Sequence, residues 1–114
     1  MKSDRYSQRV PLELLCFSLL KERDMYGYEM VRMIEQRSNH LLVLNITTLY
    51  VVVKKLCEKG YVSAYYQDSL SRRGRSRLYY HIEDSANSYY NELMNEYQRT
   101  TQGVSIFFTN TEQK

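Results

Sequence analysis

Residues 45–82 confine this chain to few folds, because they set a capped amphipathic segment directly before two matched strand-like runs joined by an arginine-rich turn. The first part is NITTLYVVVKKLCEKG, Asn45 to Gly60. Asn45 suits a helix N-cap and Gly60 the residue just past a helix end, so the segment is punctuated at both ends. At about 100° per residue, Leu49, Val53 and Leu56 share one face with Val52 at its edge. Thr47, Val51, Lys54, Lys55 and Glu58 fall on the other, flanked by Thr48 and Tyr50. The run ITTLYVVV by itself favours a strand, with three valines and two threonines. Its uninterrupted continuation into KKLCEKG at helical spacing decides for a helix. After Gly60, YVSAYYQ alternates, DSLSRRGRS turns around Gly74, and RLYYHI is a second strand of matching length. These make a two-stranded β-hairpin with a long basic tip.

Two amphipathic segments come before. Residues 1–8 are polar and expected to be loose. Pro11 fits a first helical turn, and Leu12, Leu15, Cys16, Leu19 and Leu20 form an apolar stripe ending near Lys21. KERDM reads as a short charged connection. From Tyr26 a second helix is expected, with Tyr28, Met30, Val31 and Ile34 on its apolar face, and HLLVL is an extended stub before Asn45. After Asp84, Ala86, Tyr90, Leu93, Tyr97, Thr101 and Val104 step by three or four, widened by Tyr89 and Met94. This last helix is expected to end or soften at Gly103, before the apolar SIFF and a frayed TNTEQK.

The predicted fold is therefore mainly α with a small two-stranded hairpin. Three helices followed by a hairpin make a winged helix-turn-helix over residues 9–83, and a long C-terminal helix follows over 84–108. In this arrangement the third helix enters the major groove and the wing lies along the backbone or minor groove.

Composition removes several alternatives. A chain of 114 residues suits one domain. No apolar run approaches the roughly 18 residues of a membrane span. The N-terminus MKSDRYSQRV has no apolar h-region, so no secretion signal and a cytoplasmic location are expected. Cys16 and Cys57 each lie within an apolar helix and read as core residues of a reducing compartment. His40 and His81 stand apart from any metal-ligand spacing. No phosphate-cradling glycine loop, nucleophile–base pair or metal cluster is visible, so neither an enzyme nor a cofactor or metal site is expected.

Charge is distributed unevenly. Residues 1–60 and 61–82 each carry a net +3, whereas 83–114 carry −3. A basic body with an acidic final helix suits a nucleic-acid binder with a separate assembly element. The wing SRRGRSR supplies Arg72, Arg73, Arg75 and Arg77, whose guanidinium groups suit phosphates or a narrow minor groove. On the third helix, Lys54 and Lys55 suit phosphate or guanine. Thr47, Thr48 and Tyr50 suit phosphate or base edges, and Val51 a thymine methyl. The last helix has little core left to bury against, so Tyr90, Leu93, Tyr97, Val104, Phe107 and Phe108 are expected to meet a partner chain. A small aromatic effector between subunits is the sharper form of that reading. The rival is a winged-helix module that docks a protein and binds no DNA.

In order and spacing, these segments resemble the PadR family of bacterial transcriptional regulators over roughly residues 9–100. The resemblance rests on LLCFSLLKERDMYGYEMVRMIEQRS, with its leucine-rich first helix and Gly-Tyr-Glu. It rests also on LNITTLYVVVKKLCEKGYV, with Thr-Leu-Tyr, two basic residues, a leucine and a glycine, and on RSRLYYHIEDSANSYYNEL. Three positions depart from the family pattern: Val51 stands where proline usually follows Thr-Leu-Tyr, Glu83 replaces a threonine, and Asn87 a frequent glycine. The resemblance implies a homodimer on pseudo-palindromic operator DNA, usually a repressor, with the C-terminal helix packed on the partner subunit. It also implies an effector such as a phenolic acid or hydrophobic drug. The last-helix tryptophan that lines the pocket in some drug-binding members is absent here.

Overall fold

The computed structural model describes residues 10–68 and 76–112; the expected loose segment 1–8 and the wing tip with Arg72, Arg73 and Arg75 lie outside them. Helix α1 (Leu12–Glu22) starts after Pro11, whose ring fixes φ at −74° and whose missing N–H costs nothing where a first turn leaves donors unpaired. It buries Leu12, Leu14, Cys16, Phe17, Leu19 and Leu20. That stripe is wide because α1 is the central element, packed by the other helices and by the sheet.

Strand β1 (Met25–Tyr26) leads straight into α2 (Gly27–Arg37). Helix α2 buries Met30 and Ile34 and ends with Asn39 in the left-handed region (φ 54°). There the Asn39 and His40 amides bond back to the Gln36 and Glu35 carbonyls at 3.2 and 2.8 Å, satisfying acceptors that the helix end leaves open. Residues 41–45 carry no regular structure. Helix α3 (Ile46–Glu58) then opens on the Asn45 side chain, which accepts the Thr47 amide at 2.7 Å. It closes on Gly60 at φ 82°, with the Gly60 and Tyr61 amides each 3.0 Å from the Cys57 and Leu56 carbonyls. Both caps stand where the sequence places them. The valine run is helical because Leu49, Val52, Val53 and Leu56 are all buried on one face, and that burial outweighs the strand preference of β-branched side chains.

Strands β2 (Val62–Asp68) and β3 (Ser76–Ile82) pair antiparallel from Val62↔Ile82 to Asp68↔Ser76. The sheet has three strands, not the expected two. β1 pairs with the free edge of β3 through Met25↔Tyr80 and Tyr26↔Tyr79, giving the order β1-β3-β2. Two residues inside KERDMY carry no detectable period, so the sequence reads as a connection where the backbone completes a sheet. The inner face sets Met25, Val62 and Tyr80 into the core around Phe17, Leu49 and Leu56. On the outer face Tyr65, Tyr79 and Tyr26 form a row straight across the three strands, with ring centroids 5.9 and 5.5 Å apart.

A 3₁₀ turn (Asp84–Ala86) buries Ala86 and starts α4 (Asn87–Glu112), 26 residues long. Its root is fastened to the body: Phe17 meets the Tyr89 and Tyr90 rings edge-on at 5.9 and 6.3 Å, and the Tyr89 hydroxyl donates to Glu13 at 2.5 Å. The helix runs unbroken through Gly103 to Glu112, past the expected softening, because one interior glycine costs only about 1 kcal/mol. No residue of α4 is buried. Cys16, fully buried with its thiol pushed up to about 12 by desolvation, belongs to the core, and Cys57 is half-buried against it; both are free thiols.

Candidate nucleic-acid interface

The outer face of α3 exposes what its inner face cannot use. Thr47, Tyr50, Val51, Lys54 and Lys55 are exposed and Thr48 is half-buried, with Tyr50 at 42% and Val51 at 48% accessibility. One i, i+3, i+4, i+7 stripe therefore carries a hydroxyl, a phenol, a branched aliphatic and an ammonium in line. Leu41 and Val43, just before this helix, are also exposed; no local pattern singles them out.

Beside the stripe, the stem of the hairpin presents Arg77, the only wing arginine among the described residues. Its guanidinium lies 4.4 Å above the Tyr26 ring, a cation–aromatic contact that fixes the side chain without neutralising it. Arg32 of α2 approaches the same tyrosine and donates Nη2 to its hydroxyl at 3.1 Å. Tyr26 and Arg32 were not expected at the site. Their signal lay in tertiary structure, since Tyr26 meets Arg77 only once β1 pairs with β3.

Ion pairs brace α1 against α2: Arg37 holds Glu22 through both guanidinium nitrogens at 2.6 and 2.9 Å, and Arg23 meets Glu29 at 2.5 Å. Asp24, at the entry to β1, ties the sheet together by accepting from the Tyr65 hydroxyl at 2.6 Å and lying 2.8 Å from His81 Nδ1. Burial pushes the Asp24 carboxyl upward, but the bonds to Tyr65 and His81 outweigh it and hold the group below the ordinary value. The hydrogen bond to Asp24 raises the His81 imidazole above the usual histidine value. Both histidines therefore have carboxylate partners that the sequence reading did not assign, since His40 lies 2.9 Å from Glu35. No group of three or more metal-ligating side chains occurs among the described residues.

Of the residues expected at a subunit interface, Tyr90 and Leu93 are half-buried against their own core. Tyr97, Val104, Phe107 and Phe108 are exposed, the two phenylalanines at 62% and 54%. Between the start of α1 and α4 runs a groove of about 630 Å³ that includes Leu14, Leu93, Tyr97 and Val104. No helix among the described residues is long and apolar enough to cross a membrane.

Three helices, a three-stranded wing sheet and an exposed third-helix face beside a basic stem define a winged-helix protein. The chain belongs to the transcriptional regulator PadR-like family, whose sequence model matches residues 16–92. An uncharacterized protein of Lysinibacillus sphaericus is 32% identical over 101 residues, 89% of this chain and 91% of that one. A transcriptional regulator from Clostridium thermocellum superposes with a TM-score of 0.78 at 29% identity, over 94% of this chain and 98% of that one. The PadR protein of Bacillus subtilis, solved in complex with operator DNA, shares the fold at a TM-score of 0.64 and 15% identity, over 75% of this chain and 47% of that one.

Proposed function

We propose that this chain is a sequence-specific DNA-binding regulator, acting as a homodimeric repressor. The observation that carries the reading is the α3 face on which Thr47, Tyr50, Val51 and Lys54 stand exposed while Leu49, Val52, Val53 and Leu56 of the opposite face are buried. The operator complex of the Bacillus subtilis relative supports it at the level of the fold. In this reading α3 enters the major groove, Lys54 and Lys55 meet phosphate or guanine, Arg77 meets phosphate, and Arg72, Arg73 and Arg75 contact the backbone or minor groove. Residues 9–83 form the DNA-binding head. Residues 84–108 pair two heads about 34–36 Å apart, so that they reach successive major grooves. A small aromatic or hydrophobic effector fits the groove between α1 and α4, whose apolar side chains lie beside the proposed subunit contact.

Fluorescence anisotropy with duplex DNA at low and high salt tests the reading. Binding that falls steeply with salt is expected, because each phosphate contact releases counterions. The substitutions Arg73→Ala with Arg75→Ala should weaken binding to every sequence and flatten the salt slope. Tyr50→Ala or Lys54→Ala should also change which sequence is preferred. Absence of binding at low salt would remove the DNA reading and leave a protein-docking winged helix.

A further inference from the structure

Between α2, the middle of α3 and the stem of the wing lies a cleft of about 400 Å³, bordered by Tyr26, Gly27, Arg32, Tyr50, Ser76 and Arg77. Its two arginines converge on one side chain: Arg77 lies over the Tyr26 ring at 4.4 Å, and Arg32 donates to the hydroxyl of that ring at 3.1 Å. Among the described residues, no ion pair joins either guanidinium to a carboxylate, whereas Arg23 and Arg37 are paired with Glu29 and Glu22. Both guanidiniums are exposed to water, so an anion entering the cleft from solvent would be attracted by two positive charges at once. The fork of donors on each guanidinium matches the oxygens of a phosphate. Tyr50 belongs both to this cleft and to the exposed face of α3, so a strand lying along that face passes the cleft.

We propose that this cleft seats one backbone phosphate of bound duplex DNA between Arg32 of the helix-turn-helix and Arg77 of the wing stem, with Tyr26 holding both guanidiniums in place. The inference rests on the DNA-binding reading and adds to it a clamp that spans α2 and the wing. Arg32 sets the register of the head on the backbone and reads no base.

The test uses the full chain and fluorescence-labelled duplexes across a salt series, comparing wild type with Arg32→Gln, Arg32→Lys and Tyr26→Phe. Arg32→Gln should lower affinity about equally for all sequences and reduce the magnitude of the slope of log K against log salt by about 0.9, one phosphate on B-DNA. Arg32→Lys should keep the slope and recover part of the affinity, because the charge remains but the fork is lost. Tyr26→Phe, which keeps the ring and removes the hydroxyl, should weaken binding with the slope retained. Wild-type protein that binds no duplex removes the DNA reading itself. Wild-type binding with an unaltered slope in Arg32→Gln overturns the clamp alone. Titration of the free protein with inorganic phosphate distinguishes the source of the anion. Saturable binding lost in Arg32→Gln would make this a free-anion site and overturn the assignment, whereas competition no stronger than that of chloride at equal ionic strength supports the phosphodiester.

Discussion

Gly27 and Tyr50 meet where α2 begins. A Cβ built at Gly27 would lie 2.6 Å from Cε1 of the Tyr50 ring and 3.0 Å from its hydroxyl, so the glycine is the space into which the phenol leans. The obstructing atoms are the far end of a side chain that can swing, and alanine suits a helix better than glycine. Gly27→Ala should therefore leave the melting temperature unchanged or slightly higher while lowering DNA affinity several-fold, because Tyr50 is turned off its seat. Calorimetry and anisotropy on the same preparation check this; unchanged affinity would show that Tyr50 takes no part in recognition. His81 gives a second prediction. Its pKa is raised in the fold by the hydrogen bond to Asp24, so the native state binds the proton more tightly than the unfolded chain. The contribution is fully present below the unfolded value and is lost as pH rises through the folded one. Thermal melts from about pH 6 to 8, the range where histidine titrates, should show a modest loss of stability with rising pH, absent in Asp24→Asn. The effect is small because His81 is half exposed and Asp24 keeps partial access to water, which screens the pair.

Among the elements, β1 was the least legible, and α3 was legible only because its helical spacing outweighs the strand preference of its threonines and valines. Leu49, Val52, Val53 and Leu56 repeat at the helical period, and both caps lie within the segment they punctuate, so one stretch of sequence held the evidence for that helix. Strand β1 depends on partners more than fifty residues away, as Met25↔Tyr80 and Asp24 with His81 show. No local pattern carries such pairings. The same reason hid Arg32 and Tyr26 from the sequence reading while Lys54 and Tyr50 were visible on one helical face. The caps also permit a measurement. Asn45→Ala removes the acceptor of the Thr47 amide and should cost about 1 kcal/mol, read as a shift of the urea midpoint with an unchanged slope. A much smaller shift would mean that water replaces the cap freely.

At the scale of the molecule, α4 decides the shape. Its 26 residues span about 39 Å at 1.5 Å per residue, and the chain measures 63 × 30 × 27 Å. The root is pinned by Phe17, Tyr89 and Tyr90, whereas the distal half exposes Val104, Ile106, Phe107 and Phe108. Replacing Phe107 and Phe108 together by glutamate should shift the sedimentation equilibrium from dimer toward monomer and leave the unfolding of the head nearly unchanged, since neither ring belongs to the core. A wild-type chain that sediments as a monomer at all concentrations would refute the proposed pairing. The short strand β1 bears on how such a dimer meets its target. It pairs strand β3 of the wing stem with the two residues that lead into α2, so the wing stem and α2 are joined through one backbone ladder. In the proposed complex the elastic misfit between head and duplex then falls on the DNA. Base-pair steps that no side chain reaches will be sorted by their stiffness.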